Sequence, residues 1–148
     1  MDPALQEGDT FPTIVKSVAQ SRVEEYAAVS DDYNPIHLDP DFAAKSQFGR
    51  TIAHGMMIAA TFSEMMTLAF GQDWLKGGRL KIRFRGPVHL GDTVETYGQI
   101  KRVQRLGETT EVTCAVGVRR QTGDIAITGE ATVTATGQIK GIGLQRPA

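Results

Sequence analysis

The chain has 148 residues, a length suited to one compact domain, and at that length roughly two thirds of the unfolded surface can be buried without disulfides or metals. Hydrophobic residues make up 41% and charged residues 22%, which excludes a disordered chain. Lys plus Arg is 16 and Asp plus Glu 17, a net charge of −1 that argues against a protein built to grip nucleic acid. The single cysteine, Cys114, excludes an intrachain disulfide and a multi-cysteine zinc site. The start, Met1 to Glu7, carries no signal-like pattern, and the longest purely apolar run, Met56 to Ala60, is far short of a membrane span. The expected setting is therefore soluble and cytoplasmic, with no membrane partner.

Phe11 to Val18 is rich in β-branched residues and predicts a first strand. Ser21-Arg22-Val23-Glu24 fits a capping box, so a helix is expected from Ser21 until near Asp31, where Pro35 biases Asn34 away from helical backbone. Asp39-Pro40 predicts a second, short helix carrying Phe42, Ala43 and Ala44. The stretch from Gly55 to Phe70 is the longest helical candidate. Its Met56, Met57, Ile58, Phe62, Met65, Met66, Leu68 and Phe70 go nearly all the way round, which predicts a helix buried on nearly every side and about 24 Å long.

The second half alternates. Leu80, Ile82 and Phe84 share one face, and Arg79, Lys81, Arg83 and Arg85 the other. Turns at Gly91-Asp92, Leu106-Gly107 and Gln121 to Asp124 separate strands over 93–103, 109–119 and 125–135. Long strands joined by short turns are expected to be antiparallel neighbours. Helices in the first half and strands in the second predict an α+β fold, a curved antiparallel sheet around one buried helix, as a single domain over 1–148.

The densest polar cluster is Ser30-Asp31-Asp32-Tyr33-Asn34-Pro35-Ile36-His37. Asp32 and His37 lie five residues apart across a proline-stiffened turn, and a carboxylate with an imidazole can hold one water and move its protons near neutral pH. Asn34 can fix the turn or orient a partner. The ordinary alternative is that Asx residues and Pro are simply what turns use, with Asp39 only a helix cap. At Ala53-His54-Gly55-Met56 the long helix begins, and its free N–H groups suit an oxygen gaining negative charge, with glycine permitting close approach. Ser63 stands two turns further along the same side of that helix, where a core hydroxyl bonded to the preceding turn is the plain alternative. His54 reads as a structural, helix-entry residue. His37, Asp39 and His54 could be drawn as a metal site, but no ligand spacing supports one. No G-x-S-x-G elbow surrounds Ser63, and Cys114 sits mid-strand among apolar residues, so neither reads as a nucleophile.

Residues 30–37 resemble the S-G-D-x-N-P-(I/L/V)-H signature of the R-specific enoyl-CoA hydratases and MaoC-like dehydratases. Leu38-Asp39-Pro40, Ile52 to Met56, Phe84 to Val88 and Gly91-Asp92-Thr93 are also similar to that family, so the likeness runs over about residues 5–136. One departure is Asp31, where the signature has Gly. The resemblance implies a hot-dog fold and reversible hydration of trans-2-enoyl thioesters to (3R)-3-hydroxyacyl thioesters, with no cofactor. It further implies Asp32 and His37 as the catalytic pair, the Gly55 N–H as donor to the thioester oxygen, and Ser63 as a site serine. Asn34 and Met56 are expected to touch substrate, and Met57, Met65 and Met66 with Met56 to line an adaptable acyl pocket or pack the core. Coenzyme A or acyl carrier protein is the expected carrier; the basic stripe at 79–85 is either a docking surface for it or a solvated strand face. A sheet edge and a helix end left to cover predict a homodimer. Two alternatives stand beside the hydratase: a hot-dog acyl thioesterase, and an acyl-thioester binding module without catalysis.

Overall fold

The computed structural model describes residues 4–147. Five antiparallel strands form one sheet in the order β1-β3-β4-β5-β2. They are β1 (Val15–Ser17), β2 (Gly78–Phe84), β3 (Thr93–Leu106), β4 (Thr109–Arg120) and β5 (Ile125–Thr136). The three long strands follow one another through the tight turns that their glycines allow; Gly107 and Gly123 both have positive φ, at 67° and 90°. Register shifts between Ile100 and Arg102 in β3 and between Val118 and Arg119 in β4 mark bulges, which bend the strands and give the sheet its curvature. The first strand is shorter than the β-branched run suggests. Phe11 instead follows β3 irregularly, its N–H bonded to the Gly98 carbonyl and its ring buried against Phe70.

The long helix α4 runs over Gly55–Phe70, the predicted bounds. Phe62, Met65 and Met66 are fully buried and pack with Ile100, Val112, Val118 and Val133 of the sheet in one core. Each such side chain adds about 1.5–3 kcal/mol by leaving water. Met65 and Met66 thus belong to the core and line neither of the cavities described below. The helix is not enclosed on every side. Met56, Ala60, Ser63, Glu64 and Leu68 make an exposed stripe at helical spacing. One sheet covers only part of the cylinder, so an apolar helix keeps one open face.

The other helices are α1 (Gln20–Ser30), α2 (Pro35–Leu38), α3 (Pro40–Ala44) and α5 (Gln72–Gly77). The expected capping box at Ser21 does not form. The helix begins one residue earlier, with Ala19 as N-cap and no side-chain cap, and the Glu24 carboxylate accepts instead from Gln20 Nε2 at 3.2 Å. Asp39 caps α3 as expected, its Oδ1 accepting the N–H groups of Asp41 and Phe42 at 3.0 and 3.2 Å. Sequence reading missed α5, whose buried Trp74 packs back on α4. It also missed that the turn around His37 closes as one helical turn, α2. The strand β2 forms as expected but at a sheet edge, where Leu80 and Phe84 are 36% and 56% exposed.

Candidate active site

The chain leaves α1 through Asp31, the one non-glycine residue among those described with positive φ, at 60°. That left-handed residue turns Asp32 away from the helix axis. Asp32 Oδ1 then accepts the Asn34 N–H at 3.2 Å, and Asn34 Oδ1 accepts the Ile36 N–H at 3.1 Å. Two successive Asx turns and Pro35 at the first helical position therefore build α2 and aim His37 inward. Asn34 fixes the turn; the Ile36 bond is the one its side-chain oxygen makes.

The α2 turn is stitched to the segment that enters α4. Ile52 N–H donates to the Ile36 carbonyl at 3.2 Å, and Ala53 N–H to the Val88 carbonyl at 2.7 Å. His37 is 8% exposed, with Nδ1 at 2.8 Å from the Ile52 carbonyl. A carbonyl only accepts, so Nδ1 carries the proton and Nε2 is left as the bare, basic nitrogen. One Asp32 carboxylate oxygen and one ring nitrogen each of His37 and His54 lie within 4.8 Å of one another.

His54 is the N-cap residue of α4 and offers no side-chain cap, so the first helical N–H groups, Gly55 foremost, have no capping partner from it. His37 and Gly55 share the wall of a cavity of 400 Å³, lined mainly by apolar groups including Phe48, Ile58, Phe84 and Val88. Asp32, Gly55 and Met56 share a second cavity of 440 Å³ with Tyr26 and His54. Gly55 and Phe84 border both. A Cβ on residue 55 would stand 2.7 Å from the Phe84 ring, so glycine is the residue that lets this ring lie across the helix start. Asp32, His37 and Gly55 lie together at the start of α4, with Met56 beside them. Ser63 is apart: it is exposed, its Oγ accepts from Trp74 Nε1 at 3.1 Å, and it borders neither cavity.

The three donor groups do not suit a metal ion. The His37 and His54 rings are stacked, with centroids 3.9 Å apart and planes 25° from parallel. The two ring planes are offset and near parallel, so an ion bound in the plane of one ring, about 2.1 Å from its nitrogen, lies well out of plane for the other. The Asp39 carboxylate of the metal set drawn from sequence is occupied in capping α3. Cys114 is buried, and burial pushes its thiol up to about 12, which leaves it inert.

A curved antiparallel sheet packed on one long helix, with a polar turn at the start of that helix, defines a hot-dog fold. A family model, the MaoC like domain, matches residues 5–122, and the chain belongs to that family. It is 34% identical over 122 residues to the (R)-specific enoyl-CoA hydratase of Aeromonas caviae, covering 80% of this chain and 87% of that protein. It is 32% identical over 120 residues to the 3-hydroxybutyryl-CoA dehydratase of Methylorubrum extorquens, covering 80% and 73%. The solved structure of an (R)-hydratase from A. caviae involved in PHA biosynthesis superposes with a TM-score of 0.75 at 32% identity, covering 89% of this chain and 97% of that one.

Proposed function

We propose that the protein is a hydratase that adds water reversibly to trans-2-enoyl thioesters, giving (3R)-3-hydroxyacyl thioesters. The observation that carries the reading is the convergence of an Asp32 carboxylate oxygen and one His37 ring nitrogen within 4.8 Å, next to the uncapped helix start at Gly55. The names and coverage of the relatives above support it.

The residues present suit each step. A water held between Asp32 and His37 Nε2 gives a proton to Nε2 as its oxygen bonds to C3 of the enoyl group. The C2–C3 π electrons move toward the thioester, and negative charge collects on its carbonyl oxygen. The Gly55 N–H at the positive end of α4 stabilises that charge, a type of contact worth about 3–4 kcal/mol. The proton on Nε2 then passes to C2, and the carbonyl re-forms. Asp32, accepting the water's second hydrogen, keeps the oxygen aimed at C3. One water on one side of the substrate delivers H and OH to the same face. No step calls for a metal or organic cofactor.

The apolar walls of the 400 Å³ cavity suit an acyl chain. Met56 is a substrate contact at the mouth of the second cavity, and Asn34 one at the rim of the turn. Arg85, on the wall of the 400 Å³ cavity, and the exposed Arg79, Lys81 and Arg83 face the phosphates of coenzyme A or an acidic carrier protein. A second copy covers the edge of β2 and the exposed Met56, Leu68, Leu75, Leu80 and Phe84 in a cytoplasmic homodimer.

The test is a mixture of the protein with crotonyl-CoA, following loss of the conjugated enoyl absorbance and then product chirality. The (3R) product is expected, and Asp32→Asn and His37→Ala each lower the rate about a hundredfold or more. A wild-type rate in either variant removes that residue from the mechanism, and thiol release without hydration makes the protein a thioesterase.

A further inference from the structure

His54 is unusual for a buried histidine. It is 2% exposed, and its Nε2 lies 3.0 Å from the Asp32 carbonyl, so Nε2 carries the ring proton. In the neutral ring its Nδ1 is then a bare lone pair, buried and without a hydrogen-bond partner among the described residues. An unsatisfied buried polar atom lowers stability. A side chain kept only for packing at this place has no need of that nitrogen; an apolar ring fills the space without the cost. What the imidazole does that an apolar ring cannot is reach back 22 residues to the backbone of Asp32 while its flat face lies on the His37 ring, 3.9 Å away. The Tyr26 ring, tilted and 4.7 Å from it, holds His54 in place.

We infer that His54 is a positioning residue for the hydration: its Nε2–H tethers the Asp32 backbone and its ring face fixes His37, so that both groups meet one water at the start of α4. The inference rests on Asp32 and His37 being the catalytic pair. Neither partner is held by its own element alone. Asp32 is exposed and follows a left-handed residue, and α2 is a single turn; each needs an outside contact to keep its angle. One side chain at the N-cap of α4, the residue that precedes the Gly55 N–H, supplies such a contact to each of them, beside the Ile52 carbonyl that accepts the His37 Nδ1–H. The turn and the helix start are thereby fixed to each other at the place where water, C3 and the thioester oxygen must be in register. Misplacement of about 1 Å in such a set can cost about a hundredfold in rate.

Two substitutions separate the two contacts. His54→Phe keeps a ring on His37 and removes the donor to Asp32, and it also removes the unpaired nitrogen. The expected result is a kcat about tenfold to a hundredfold lower, KM for crotonyl-CoA within about twofold, and a Tm no lower than that of the unsubstituted protein. His54→Gln returns an N–H at a similar reach and recovers part of kcat. A wild-type kcat in His54→Phe, or a loss carried wholly by KM, overturns the inference. A measurement on the unsubstituted protein stands independently of how the variants fold. Nitrogen-15 spectra of the histidine rings are expected to show His54 protonated at Nε2 with a bare Nδ1, and His37 protonated at Nδ1. A proton on His54 Nδ1 with a bare Nε2 means that the tether does not exist. If His37→Ala instead hydrates crotonyl-CoA at full rate, the catalytic pair fails, and the His54 tautomer still reports on the tether alone.

Discussion

Asp31 holds a left-handed backbone at φ 60°, where the family signature has glycine. Short Asx side chains tolerate that region better than most, and branched ones do not. Asp31→Val is therefore expected to cost about 1–2 kcal/mol in urea denaturation, and to lower kcat by tilting Asp32. Asp31→Gly changes stability by less than about 1 kcal/mol, because relief of strain is offset by a looser unfolded chain. Equal stability of the Val and Gly variants contradicts this account of the turn. The placing of Asp32 beside His37 was legible in the sequence because both sit on a turn that local residues build: Asp31, two Asx bonds and Pro35. The part of His54 was not, since its partners lie 17 and 22 residues earlier and meet it only in the fold.

At the scale of elements, the 87–92 turn that supports the Val88 wall is held by Asp92. Its Oδ2 accepts the His89 N–H at 2.8 Å and Arg120 Nε at 2.7 Å, and its Oδ1 accepts Gln121 Nε2 at 2.9 Å. Burial pushes the Asp92 carboxyl up, but the hydrogen bonds of Arg120, Gln121 and the His89 N–H outweigh it and bring it down to about 2. A lowered carboxyl contributes stability in full above its unfolded value, and the contribution is lost as pH falls. Unfolding free energy is thus expected to drop by about 2 kcal/mol as pH falls from 3.8 towards 2, and Asp92→Asn removes most of that dependence. An unchanged acid profile in the variant shows that the network does not hold the turn. Gly55→Ala tests the helix start. The new Cβ must displace the Phe84 ring, which is 56% exposed in the single chain. Stability stays within about 1 kcal/mol, since alanine favours the helix as glycine does not, while hydration falls at least about tenfold as the ring moves within the shared cavity wall. Full activity in that variant separates Gly55 from the site.

The whole molecule reads from its sequence where pattern and burial agree. α4 and the three long strands have such patterns, and their bounds fall close to expectation. The misses share a cause: they depend on neighbours distant in the chain. Helix α5 is six residues long and is defined by Trp74 reaching Ser63. Enclosure of α4 on nearly every side was expected from its composition, yet composition cannot say how far one sheet wraps. The open stripe that results, with the free edge of β2, leads to the expectation that sedimentation gives twice the 16.1 kDa chain mass. A monomer at micromolar concentration contradicts the proposed covering of that face. No helix among the described residues is long and apolar enough to cross a bilayer.

The central claim is that one water, held between Asp32 and His37 beside the first turn of α4, reacts on one face of the enoyl group. Hydration of crotonyl-CoA in heavy water, followed by proton coupling analysis of the product, reads this outcome directly. A single diastereomer is predicted, with deuterium at C2 on the same face as the new hydroxyl at C3. Deuterium on the opposite face, or spread over both, contradicts it.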